Sequence, residues 1–160
     1  MNKRAKTVVL VVAAAFVAAA VSGVVMAAST PERIQLAMSD FAFNPNQLAL
    51  QAGKVYEITL VNRGTAEHEL MIGRGSRMAG DEQGGEMHGY AENFFEGIEV
   101  TVEFEGGMVE TGELDEVEVE PGGEVKITFT VPAGKQGSWE MACFVPGHYE
   151  LGMHGSLTVR

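Results

Sequence analysis

Beyond its N-terminal segment the chain places apolar residues at every second position, and this alternation restricts the fold more than any other feature. Tyr56, Ile58 and Leu60 alternate with Glu57 and Thr59, and Val125, Ile127, Phe129 and Val131 alternate with Lys126, Thr128 and Thr130. Successive strand side chains point to opposite faces, so each run reads as a half-buried strand. Leu48 and Leu50, Leu70 and Ile72, Ile98 through Phe104, Val117 and Val119, Trp139 and Met141, and Leu157 and Val159 repeat the pattern. Turn signals separate them, among them Asn62-Arg63-Gly64, Gly106-Gly107 and Pro121-Gly122-Gly123. No stretch keeps a helical apolar stripe over three turns. The expectation is an all-β antiparallel sandwich or barrel.

Two segments depart from this rhythm. From Gly73 to Tyr90 the sequence is Gly-rich and polar, which reads as a long excursion without a strand, followed by a short helix near Tyr90 to Phe95. At the other end, Asn2-Lys3-Arg4-Ala5-Lys6 precedes an uncharged run from Thr7 to Thr30 built mostly of Val and Ala. Its close, Val25-Met26-Ala27-Ala28, is similar to a leader-peptidase site, so residues 1–28 read as a signal peptide or as a retained membrane anchor. The domain of residues 29–160 then works outside the cytoplasm, in the periplasm or tethered to the cytoplasmic membrane.

At 160 residues the chain has room for one domain. Without Lys3, Arg4 and Lys6 it carries 8 basic against 22 acidic residues, a balance that repels phosphate backbones and speaks against a nucleic-acid partner. One cysteine permits no internal disulfide, and an unpaired thiol outside the cytoplasm asks for a reason.

That reason lies in which residues share a face. Cys143 has the parity of Trp139 and Met141, and His68 has the parity of Leu70 and Ile72, so both point between the sheets. Singly, each is more often a core residue than a ligand. The run from Cys143 to Met153 changes the odds, because Cys143, His148 and Met153 are spaced Cys-x4-His-x4-Met on one loop. With His68 they offer two imidazoles, a thiolate and a weak thioether. This is the donor set of a trigonal copper centre with a long axial Met. Zinc is a poorer fit, since Met is a poor zinc ligand. A nucleophilic Cys143 with His148 as base and Glu150 as orienter lacks an identifiable oxyanion pocket. Four histidines are too few for the trinuclear cluster of a multicopper oxidase.

Phe41 to Asn62, the strand His68-Glu69-Leu70, and the Cys143 to Met153 loop followed by Gly155-Ser156-Leu157-Thr158-Val159 resemble the cupredoxins, the blue-copper proteins, with loop spacing most like the auracyanin and rusticyanin branch. The resemblance implies an eight-stranded Greek-key β-sandwich binding one type 1 copper ion through His68, Cys143, His148 and Met153. It implies electron transport between protein redox partners, and no enzyme activity. Two positions depart from the pattern. Glu69 stands where many cupredoxins carry Asn or Ser, and residues 73–114 form an insertion beyond the usual connection.

Further expectations concern the surface. The edge of His148, framed by Pro146, Gly147, Tyr149 and Leu151, is the expected electron port. From Met78 to Val125 there are fifteen acidic residues and no Lys or Arg, a soluble face or a docking face for a basic partner. Met78, Met87, His88 and Met108 could hold Cu(I) for a copper carrier or chaperone, the runner-up function. The simpler reading is that Met87 and Met108 pack beneath the excursion and His88 is solvated. His154 is assigned to the surface, and the protein is expected to be a monomer.

Overall fold

A computed structural model describes residues 30–78 and 87–160. The segment read as leader or anchor lies outside them. Among the described residues no helix is long and apolar enough to cross a membrane.

The strands are β1 (Glu32–Ser39), β2 (Ala42–Asn44), β3 (Gln47–Leu50), β4 (Val55–Asn62), β5 (His68–Met78), β6 (Met87–Asn93), β7 (Val100–Phe104), β8 (Gly107–Thr111), β9 (Glu116–Val119), β10 (Glu124–Thr130), β11 (Gly137–Ala142) and β12 (His154–Val159). They form two sheets. One has the order β2-β1-β4-β10-β7-β8, and the other runs β3-β12-β11-β5-β6 with β9 also paired to β5. β1 lies parallel to β4 and β3 parallel to β12, so the first part of the chain contributes a strand to each sheet. The remaining pairs are antiparallel, as the short turns between strands allow.

Alternation places the core between the sheets. Tyr56, Ile58 and Leu60 of β4 and Ile127 and Phe129 of β10 face Leu70, Ile72, Trp139, Met141 and Leu157 of the opposing sheet. Phe94 packs edge-on to Trp139 at 5.1 Å, and Phe95 edge-on to Phe129 at 5.3 Å. Such pairs add about 0.5–1.5 kcal/mol each beyond the area they bury.

Three expectations are corrected. The stretch from Gly73 is not without a strand, because β5 runs on to Met78 and pairs with β6 as an antiparallel extension of its sheet, residues 79–86 lying outside those described. Glycine hid this strand from an apolar count. A Cβ on Gly73 would collide with the Tyr90 ring and the Glu92 carbonyl, so the missing side chain is what lets these strands meet. Tyr90 to Phe95 is not a helix either. β6 ends at Asn93, whose Oδ1 accepts from the Phe95 amide at 2.9 Å, while its Nδ2 donates to the Leu114 carbonyl at 2.8 Å. That side chain turns the backbone out of the sheet. Phe104, read as inward, is 48% exposed, at the end of β7 beside the hairpin turn. The described residues thus carry twelve strands rather than eight. Residues 73–114 supply most of β5, all of β6, and the β7–β8 hairpin.

Candidate metal centre

His68 is the first residue of β5 and is paired with Val119 of β9, where alternation turns it into the core beside Leu70 and Ile72. Cys143 directly follows β11 and continues the inward series of Trp139 and Met141. Backbone bonds shape the loop that follows. The His148 amide donates to Val145 at 2.9 Å, the Met153 amide to His148 at 2.9 Å, and the Cys143 amide to Met153 at 3.1 Å. Gly147 and Gly152 take φ of +84° and +104°, a left-handed backbone that other residues adopt only at a cost. These bonds tie Cys143, His148 and Met153 into one compact unit at the end of the sandwich.

The side chains of His68, Cys143 and His148 converge although they come from distant parts of the chain. Nδ1 of His68 is 3.2 Å from Nδ1 of His148, which is 3.3 Å from Cys143 Sγ. Each residue offers one donor atom within 4.8 Å of the others, and all three residues are buried. Ligand bonds of about 2.0–2.3 Å, usual for imidazole and thiolate on a first-row metal, fit inside a triangle of this size. Met153 is fully buried in the same loop, and its backbone joins the loop's hydrogen bonds through both its amide and its carbonyl.

The electrostatics suit a bound cation. Burial, then the neighbouring His148, push the His68 pKa down, so the ring is held neutral and free to donate a lone pair. Burial raises the Cys143 thiol, a trend opposed by backbone amides of Glu69 and Val145 that point at the sulfur. The Glu69 amide lies 3.5 Å from Sγ. A fully buried thiol with a raised pKa is not an activated nucleophile, and Glu150, the proposed orienter, is exposed. Burial of the thiol and the exposed position of Glu150 count against the cysteine-enzyme reading. His68 Nε2 is a buried nitrogen without a hydrogen-bond partner, facing away from the triangle.

A cupredoxin-like domain model matches residues 7–80. The copper-resistant cuproprotein CopI of Pseudomonas aeruginosa is 30% identical over 145 residues, spanning 84% of this chain and 79% of that protein. The chain belongs to the cupredoxin-like family. Among solved structures, auracyanin B superposes with a TM-score of 0.52 at 22% identity over 84% of this chain and 93% of its own. Auracyanin A from Chloroflexus aurantiacus, described as a blue copper protein, gives 0.52 at 20% over 82% and 100%. Both share the fold.

As a cupredoxin, this chain has an unusual second layer around the site. Glu69 is 8% exposed, and its Oε1 accepts from the Phe144 amide at 2.6 Å, bracing the segment that carries Cys143. A carboxylate thus makes the cross-site bond at the position where many cupredoxins place Asn or Ser. Phe41 and Asp40, absent from the reading of the sequence as site residues, also reach the histidines: the Phe41 ring stands edge-on to His148 at 5.3 Å, and Asp40 Oδ1 lies 3.5 Å from His68 Nε2. Neither follows from a period or a spacing, because a turn before β2 delivers both.

Other expected features separate. His154 is exposed as assigned, its ring stacked on Tyr149 at 4.9 Å. Met108 is 62% exposed on β8 and does not pack beneath anything. The side chains of Met78, Met87 and His88 lie outside the described residues. Among the described residues, His68, Cys143 and His148 form the one cluster of three or more His, Cys, Asp or Glu side chains that could hold a metal ion.

Proposed function

We propose that this chain is an exported type 1 copper protein that carries single electrons between protein partners, with His68, Cys143, His148 and Met153 as ligands. The observation that carries the reading is the buried convergence of two imidazole nitrogens and one thiol at 3.2–3.3 Å. Bound copper supplies the one-electron couple. The protein's part is to hold the donors still, since a centre that keeps its shape in both oxidation states exchanges electrons with little rearrangement. The rigid loop, the Glu69 brace and full burial of Cys143 serve that end. Burial at 8% exposure leaves only the rim of His148 as a contact point, and exposed Leu151 and Phe41 beside it make an apolar face suited to brief docking. The reading assigns no catalytic turnover, and places the protein in the periplasm or on the membrane's outer side.

A second reading, carriage of copper itself, is favoured by the name of the relative, a copper-resistant cuproprotein. Cycling the copper form between oxidant and reductant in the presence of a Cu(I) chelator separates the two. An electron carrier keeps its metal through repeated cycles, whereas a copper carrier surrenders it on reduction.

A further inference from the structure

The turn between β1 and β2 touches both histidines from outside. Asp40 accepts hydrogen bonds from the Thr65 amide at 2.8 Å and the Thr65 hydroxyl at 3.1 Å, which fix its carboxylate. Its Oδ1 lies 3.5 Å from His68 Nε2, the buried nitrogen that has no hydrogen-bond partner. Gly64 makes the approach feasible, for a Cβ there would collide with both Asp40 Oδ1 and His68 Nε2. Its loop is itself anchored. The Gly64 amide donates to Asn62 Oδ1 at 2.8 Å, and Asn62 Nδ2 donates to the carbonyls of Ala66 at 2.8 Å and Val119 at 2.7 Å. The next residue, Phe41, takes a left-handed φ of +64°, uncommon outside glycine, and that backbone sets its ring against His148.

We propose that the Asp40–Phe41 turn is a clamp on the two histidines, in which Asp40 is a positioning residue that keeps the His68 proton on Nε2, frees Nδ1 for the metal and biases the bound ion toward Cu(II). A neutral imidazole carries one N–H, and a carboxylate beside Nε2 stabilises the tautomer with the proton there. The Nδ1 lone pair then faces His148 and Cys143. A fixed negative charge behind a ligand also stabilises the more positive oxidation state. The bias toward Cu(II) rests on the copper reading above. The tautomer assignment does not.

The test uses the full chain and the variant Asp40→Asn. Asp40 is partly exposed, so the change removes charge without opening the core. In the metal-free protein, nitrogen NMR should find His68 in one Nε2–H tautomer in the wild type and in a mixture in the variant. In the copper form the preference for Cu(II) over Cu(I) should fall about tenfold, a rise of about 59 mV in reduction potential for a one-electron couple. Thr65→Val, which removes only the hydroxyl bond to Asp40, should move both readouts the same way by less. Unchanged tautomer and potential in Asp40→Asn overturn the clamp. A wild type that takes up no copper overturns the function proposed above, and the nitrogen spectra of the metal-free proteins then decide the clamp alone.

Discussion

His68 and Cys143 stand out because their chemistry disagrees with their position: each occupies a strand face otherwise given to Leu, Ile, Trp and Met. That conflict is readable in a linear sequence, since parity alone predicts burial. Asp40, Gly64 and Phe41 carry no such mark, because their importance comes from a turn that meets the loop after β4, and no periodicity encodes that encounter. Burying a histidine has a measurable consequence. The folded protein holds the His68 pKa below its ordinary value of about 6.5, so the unfolded chain binds the extra proton first as pH falls. Stability of the metal-free protein should therefore drop as pH falls below about 6.5. Denaturant titrations near pH 7.5 and near pH 5.5 should find a smaller loss in His68→Gln than in the wild type. Equal losses would contradict the buried neutral ring.

Elements were legible where apolar residues mark one face, as in β4 and β10, and illegible where glycine replaces the mark, as in β5 beyond Ile72. There the strand is held by close approach to its neighbour, a property of two segments at once. Gly73→Val tests this, since its Cβ would strike the Tyr90 ring and the Glu92 carbonyl. Overpacking of this kind costs about 1–3 kcal/mol. The denaturation midpoint should fall accordingly. An unchanged midpoint would mean that the hairpin contributes little to stability. The Cys143 to Met153 loop is the opposite case. Its residue spacing announces a ligand set, and its backbone bonds supply the rigidity that spacing alone could not reveal.

At the scale of the molecule, charge and apolar exposure are unevenly placed. Glu99, Glu103, Glu116, Glu118 and Glu120 face outward while Val100, Val102, Val117 and Val119 face the core, so β7, β9 and the residues flanking them build a strongly acidic surface. A field of that sign speeds encounter with a basic partner, by roughly ten- to a thousand-fold when focused, and fades with added salt. In the proposed docking, the apolar face around His148 is a separate determinant. Leu151→Glu, at a position 62% exposed, should slow electron exchange with a protein partner and leave the copper spectrum intact. An unchanged exchange rate would place the port elsewhere. Composition foretold the acidic surface, whereas the exposure of Phe104 and Met108 on the β7–β8 hairpin did not follow from alternation.

Reconstitution with Cu(II), followed by visible and paramagnetic-resonance spectra of the wild type and Cys143→Ser, tests the central claim most directly. The account predicts intense thiolate-to-copper absorption with an unusually small hyperfine splitting in the wild type, and loss of both in a folded Cys143→Ser. A colourless wild type, or a variant that keeps the wild-type spectrum, would contradict it.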